Sequence, residues 1–371
     1  EPHTLARHDQ PARHESTGPT NAGTELRGIA ASQLQVECEA SPFMSYALRL
    51  SGKAAVRRLT IKNLGYRTIP NLLVTVSMQP GGYGPPWTAI IDKLAPGEPW
   101  EQKEFALELD TERLRRVIET EPASLKVTVS TGAEMLYSGE PAPMPVYPYN
   151  QWVRRVDGYM SLELTAAFVQ PNDPALFHVM DLARDRLDVL AGRRSFSGYQ
   201  SNDIRYVSHM LESIHDAVLK AGVSYINPMP SFEDHGQKVR LVAQTLTERA
   251  GTCLDLAVLQ AALWEKVGLA PMIVVVPGHA LLACWLREPD RNRPVVYAIR
   301  ECDGDAISRK LDMLKRAPLA FINSVEVALG GSFDAAKENG RGYIERTIAA
   351  GDSVHLVDIS AARASGFKPL P

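Results

Sequence analysis

Apolar positions along this chain follow two rhythms. From about Ile29 to Glu140 they recur in short alternating runs, "LQVECEA", "YALRLSG", "VRRLTIKNLG", "NLLVTVSMQP", "FALELD", "LKVTVSTG" and "EMLYSGE", separated by Gly, Pro, Asn or Asp. Alternation of period two buries one face of a strand. Seven such runs predict an antiparallel β-sandwich of immunoglobulin-like type over residues 29–145, without the Cys and Trp pair of an antibody domain. Asp110–Glu119, "DTERLRRVIE", predicts one helical insertion. Residues 1–28 show no periodicity and are expected to be a disordered tail. "PAPMPVYPYNQWV", residues 141–153, is Pro-rich and marks the boundary with a second domain, residues 146–371.

Beyond the boundary the rhythm lengthens to helical spacing. One helix is predicted from an Asp173 cap with Pro174 in its first turn to Gly192, a second from Ser201 or Asn202 to Gly222, and a third from about Gln237. A nearly all-apolar helix then opens at Cys253, inside "GTCLDLAVLQAALWEKVG". "PMIVVV" and "HALLACWL" follow as strands joined through Pro277-Gly278, then the strand "VVYAI", a helix near residues 307–316 and the strand "LAFINSVEV". Helices followed by antiparallel strands define an α+β arrangement in which a helix packs across a sheet.

Composition narrows the function classes. Of 371 residues 45% are hydrophobic, and 40 basic against 43 acidic side chains give a formal net charge of −3. Without a basic block there is no electrostatic footprint for nucleic acid or a membrane surface. Four cysteines (Cys38, Cys253, Cys284, Cys302) with no C-x-x-C pair speak against a disulfide framework or a structural zinc site, and fit a reducing cytoplasm. His3, His8 and His14 are irregularly spaced, and His178, His209 and His215 lack a second ligand at i, i+4. A metal hydrolase built on His235 and His279 lacks ligand spacing too, so no metal or cofactor is expected. The apolar stretch Ala270–Leu286 is broken by Pro277, Gly278 and His279, which argues against a membrane span. The absence of an initial Met and the ending "FKPLP" read as a piece of a longer polypeptide.

The chemistry concentrates at Cys253. At a helix start the free backbone N–H groups and the macrodipole favour a thiolate and can lower the thiol pKa. The same N–H groups can receive the oxyanion formed when a thiolate attacks a carbonyl. Gly251 then permits close backbone approach, Thr252 caps the helix, and Cys253 attacks. His279 opens a buried strand 26 residues later and is placed to meet the cysteine across a helix–sheet interface, the pairing a nucleophile and its base require. The plain alternative makes Cys253 a small buried hydrophobe. Cys284, an odd number of positions from His279, points to the opposite face.

These motifs, "GTCLDLAVLQAALWEKVGLAPMIVVVPGHALLACWL" with "YINP" upstream, resemble the core of the transglutaminase-like (papain-like) cysteine protease superfamily. More narrowly, "FVQPNDPAL", "GYQ", "SFEDHGQKVR", "GTCLDLA" and "VDISAARASGFKPLP" resemble the N-terminal region of large bacterial multidomain proteins associated with defence against phage. In those proteins a helicase and a very-short-patch-repair-type endonuclease follow. The resemblance implies a cysteine peptidase acting on a protein or peptide substrate, with helicase and nuclease domains as partners. It also implies a third residue that orients His279. Asn323 is placed first for that role, then Asp303 and Asp358, each of which also reads as a turn, cap or edge residue. Gln237 is a candidate donor to the oxyanion, beside Thr252. The non-enzymatic alternative is a sensor or docking module of the same fold.

Overall fold

In "LQVECEA", "NLLVTVSMQP" and "LKVTVSTG" one face is buried because the apolar residues alternate. The structure is a computed structural model that describes residues 24–29, 33–153, 162–232, 236–290, 292–299 and 317–371. Strands β1 (Thr24–Ile29) and β2 (Leu34–Ala40), helix α1 (Tyr46–Leu50), strands β3 (Val56–Asn63), β4 (Ile69–Gln79), β5 (Trp87–Leu94) and β6 (Pro99–Phe105), helix α2 (Thr111–Arg115), and strands β7 (Ser124–Thr131), β8 (Glu134–Ser138) and β9 (Ala142–Pro143) come first. They form two antiparallel sheets, ordered β1-β2-β3-β6 and β5-β4-β7-β8, with β9 on β7. Val36, Cys38, Leu59 and Ile61 of one sheet share a core with Leu72, Val74, Val76, Val127 and Val129 of the other.

Several predicted elements change here. The region expected to be disordered through Gly28 contributes β1, paired with β2 from Thr24 onward; residues 1–23, with His3, His8 and His14, lie outside the described residues. "YALRLSG" is a helix, not a strand: Tyr46, Ala47 and Leu48 are buried in succession, which alternation forbids, and the Ser45 hydroxyl accepts from the Leu48 N–H at 3.2 Å. In "FALELD" the strand stops at Phe105, and the chain turns where Leu109 N–H donates to Leu107 O. The insertion at residues 110–119 shortens to α2, capped by Asp110. Strand β5 was not anticipated; its outward Ile90 is 72% exposed, so apolar residues lie on both faces and blur the alternation.

The C-terminal part runs through β10 (Gln151–Trp152), α3 (Thr165–Phe168), α4 (Leu176–Ala191), α5 (Ile204–Lys220), β11 (Ser224–Tyr225), β12 (Gln237–Lys238), α6 (Val242–Glu248), β13 (Ala250–Gly251) and α7 (Cys253–Lys266). After these come β14 (Pro271–Val276), β15 (His279–Trp285), β16 (Val296–Ile299), β17 (Leu319–Ile322), α8 (Glu326–Leu329), α9 (Phe333–Ala349), β18 (Val354–Asp358) and α10 (Ile359–Ala364). The central sheet is antiparallel, ordered β16-β18-β14-β15-β17. Every residue of β14 is buried because both faces are covered. Ile273, Val275, Ala280, Leu282 and Cys284 join the core that includes α7. Met272, Val274, Leu281 and Ala283 pack with Ile344 and Tyr343 of α9. The molecule is thus mixed α and β with several antiparallel sheets, an α+β arrangement.

Local chemistry shifts some boundaries. Asp173 accepts from Ala175 N–H in a turn before α4, which therefore starts at Leu176 and ends at left-handed Gly192. The cap of α5 is Asp203, since Asn202 is itself left-handed at φ 49°. The third helix begins at Val242 rather than Gln237, because Gln237 and Lys238 pair with Trp152 and Gln151. Gly236 permits that pairing: at φ +136° a Cβ would lie 2.0 Å from Trp152 O. "LAFINSVEV" is a strand only to Ile322. The helix expected near residues 307–316, together with Asp303, Cys302 and His235, lies outside the described residues. Among the described residues no helix is long and apolar enough to cross a membrane.

Candidate active site

The start of α7 is held in place by a buried carboxylate. Thr252 is the N-cap; its Oγ1 accepts from Asp255 N–H at 3.2 Å while its own N–H donates to Asp255 Oδ2 at 2.9 Å, a reciprocal capping box. Asp255, fully buried, also accepts from Arg240 N–H at 2.9 Å and faces the Arg240 guanidinium at 3.4 Å. The segment before α6 is thereby fixed against the helix start. Gln237, at the head of that segment, donates from Nε2 to Thr252 Oγ1 at 3.3 Å. Both Thr252 groups are engaged within the cap, so Gln237 is the one of the two with a side-chain amide to offer a ligand. Gly251 is tightly enclosed: a Cβ would meet the side chains of Asp255, Thr245 and Leu256 at 3.2–3.4 Å.

Cys253 is the first residue of α7 and half-buried. Its sulfur lies against the N–H of Ala280, the residue after His279, and against the Leu254 N–H of its own helix. The two side chains lie on opposite faces of the sheet, the cysteine packed against the α7-side core and the histidine on the α9 side, and the link between them is the Ala280 N–H, one residue after His279. The His279 ring packs on Tyr343 of α9, with centroids 4.6 Å apart. Its Nε2 is 3.1 Å from Asn323 Oδ1. Asn323 sits immediately after β17, whose register pairs Leu282 with Ile322 and so carries Asn323 to the His279 end of the neighbouring strand. The Ser324 hydroxyl donates to Cys253 O at 3.3 Å, and Gln260 of α7 donates to Ser324 O at 3.1 Å. These bonds tie the 323–324 turn to the cysteine helix.

Electrostatics at rest favours neutral groups. Burial pushes the Cys253 thiol up, and the N–H groups of Ala280 and Leu254 only partly offset it. The lowering expected from the helix start is therefore present but outweighed by desolvation. Burial likewise lowers His279, opposed by its bond to Asn323. Among the described residues no hydrogen bond joins the thiol to the imidazole. The arrangement is a thiol resting on backbone N–H groups at a helix start, and an imidazole with an orienting amide on the residue that precedes one of those N–H groups.

Other anticipated residues go elsewhere. Asp358 is fully buried at the far end of the sheet, opposite Met272 rather than Val276, the partner of His279. It accepts from Arg293 Nε at 2.6 Å and Trp285 Nε1 at 3.1 Å and caps α10. Cys284 is sealed in the α7-side core, its thiol pushed far up by burial. His215 is fully buried, with Nε2 2.9 Å from Gly331 O. Among the described residues no group of three or more His, Cys, Asp or Glu is disposed to hold a metal ion. The sequence reading did not single out Tyr343, Ser324 or Glu326. The hydroxyl of "NS" directly after Asn323 was the one available signal; Tyr343 and Glu326 sit in helices of ordinary composition.

No family model matches the chain, and no curated protein matches it significantly. Two solved structures show faint likeness. A Parabacteroides distasonis protein provisionally assigned as a protease is 11% identical, with TM-score 0.21 over 61% of this chain and 43% of its own. A family 76 glycoside hydrolase from a bovine Bacteroides thetaiotaomicron strain is also 11% identical, with TM-score 0.13 over 80% and 61%. The chain spans less than two thirds of either neighbour's length. Such low scores carry no argument about fold or activity, and the functional reading rests on the site itself.

Proposed function

We propose that residues 146–371 form a transglutaminase-like cysteine peptidase domain that hydrolyses a peptide bond, carried beside an immunoglobulin-like sandwich of residues 29–145. Cys253 Sγ attacks the substrate carbonyl carbon while its proton passes to His279. Collapse of the tetrahedral adduct breaks the C–N bond, and the imidazolium returns the proton to the leaving amine. Water, deprotonated by His279, then cleaves the thioester and frees the thiol. Asn323 orients the imidazole, and Gln237 with the first N–H groups of α7 receives the oxyanion above the frame that Thr252 holds.

The observation that supports this reading most is the contact of His279 Nε2 with Asn323 Oδ1 at 3.1 Å, together with the Cys253 sulfur resting on the N–H of the next residue, Ala280. With Nε2 engaged by an acceptor, Nδ1 is the nitrogen left to take a proton. Burial keeps the resting pair neutral, so proton transfer accompanies substrate approach rather than preceding it. By resemblance the domain belongs to a larger cytoplasmic bacterial defence protein, with helicase and nuclease domains as partners and no cofactor.

The second reading, a catalytically silent docking module of the same fold, draws on the same burial, which raises the thiol and lowers the imidazole. Iodoacetamide-type labelling with peptide mapping separates the two. An enzyme labels preferentially at Cys253 in a manner weakened by His279→Ala; labelling at Cys253 that ignores His279 supports the silent module.

A further inference from the structure

We infer that Glu326 is a positioning residue that fixes which way the Asn323 amide faces and thereby which nitrogen of His279 carries the proton; the inference rests on the proposed role of Cys253 and His279. An asparagine can present either its oxygen or its NH₂ to a neighbour, and only the oxygen makes the histidine protonate at Nε2. Asn323 Nδ2 is 3.4 Å from Glu326 Oε1, and Asn339 Nδ2 of α9 donates to the same oxygen at 2.7 Å. That oxygen accepts from both amides, so it draws the NH₂ side of Asn323 and leaves Oδ1 for His279.

Glu326 has no freedom to do otherwise. It is 8% exposed, and its N–H donates to Asn323 O at 3.2 Å, closing the turn between β17 and α8. On its other side the chain is glycine: a Cβ on Gly331 would lie 2.2 Å from Glu326 Oε2. Asn323 N–H donates in turn to Ala336 O at 2.8 Å, so the amide pivots from a fixed backbone. The sequence of contacts Asn339, Glu326, Asn323, His279 ends at the lip where Cys253 lies. It also explains why an amide occupies position 323. A carboxylate there would set one acceptor against another at the Glu326 contact, whereas an amide satisfies both neighbours.

The test uses the full chain and two readouts. Nitrogen-15 NMR of labelled histidine reads the neutral tautomer of His279, and iodoacetamide labelling near neutral pH reads the Cys253 rate. Wild type is expected in the Nε2–H form. Glu326→Gln, nearly the same shape, lets the Asn323 amide turn over; mixed tautomers and a roughly tenfold slower Cys253 reaction are expected, about what one lost orienting hydrogen bond is worth. Asn323→Asp alone is expected to slow labelling similarly or more. Combined with Glu326→Gln it is expected to recover most of the rate, because the new amide then donates to the new carboxylate. A merely structural Glu326 predicts instead that the double variant is at least as impaired as either single one. A wild-type Nδ1–H tautomer overturns the inference, and so does a double variant that fails to recover. If wild-type Cys253 labels no faster in the presence of His279 than in His279→Ala, the peptidase reading itself fails; a His279-dependent rate unaffected by Glu326→Gln refutes only the role of Glu326.

Discussion

The central sheet carries a polar cluster at each end, and the two are finished differently. At one end Asp358 is saturated: Arg293, Trp285, Ser360 and the Ala361 N–H all donate to it. At the other, His279 has one nitrogen bonded to Asn323, and the half-buried Cys253 sulfur rests on the N–H of the next residue, Ala280. A buried carboxylate whose acceptors are all used does structural work, since nothing is left for a ligand. A half-buried imidazole with one nitrogen directed and, among the described residues, no hydrogen bond shown at the other is equipped to move a proton. The difference lies in the remaining valence rather than in residue type, which is why an aspartate at position 358 and an asparagine at 323 have opposite prospects.

Substitutions at the two ends should therefore separate stability from reactivity. The largest effect is expected from Asp358→Ala, which strands the Arg293 guanidinium; breaking a buried pair costs about 3–5 kcal/mol, measurable by urea unfolding. Cys253 labelling in the surviving folded fraction should be unchanged; a matching loss would join the two ends into one site. Next comes His279→Ala, expected to slow Cys253 alkylation roughly a hundredfold while leaving the urea midpoint nearly in place. The background should be low, because burial holds the Cys38 thiol up at about 12 and raises Cys284 as well.

Asn323→Ala should be milder, roughly tenfold on the same rate, because it removes orientation but not the base. The smallest effect concerns acid. His279 and His215 both have folded-state pKa values below the ordinary 6.5. Their contribution is full above that value and is lost as the pH falls through the lowered folded values. Stability curves should thus decline on acidification below about 6.5, and His215→Phe should flatten part of the decline without touching Cys253 reactivity.

What was legible beforehand was whatever the chain encodes locally. Thr252 as a cap after Gly251, followed by a nearly all-apolar run, announces the start of α7, and "PMIVVV" and "HALLACWL" announce β14 and β15. The short strands β11 and β13, whose contact carries Tyr225 to Gly251, have too few residues to show a period. Asn323 could be named, but as part of a strand; its place beyond the strand end follows from the Ala336 carbonyl reaching back from α9. Glu326 and Tyr343 were illegible because their meaning is a contact, with an amide three residues away and with a ring on another element. Helix α1 misled because Ser45 caps a segment whose composition also suits a strand.

The carboxylate beneath the cysteine has a bearing on the order in which the chain assembles. Asp255 joins Arg240 across 15 residues, whereas His279 must wait for Asn323 across 44. Closing the shorter loop loses less chain entropy, so the seat of the sulfur should mature before the imidazole acquires its guide. Pulsed hydrogen exchange during refolding would then find the amides of Arg240 and Thr252 protected ahead of that of Asn323. If the proposed peptidase chemistry holds, a newly made chain would pass through an interval in which Cys253 is seated while His279 still lacks direction, a built-in delay before reactivity.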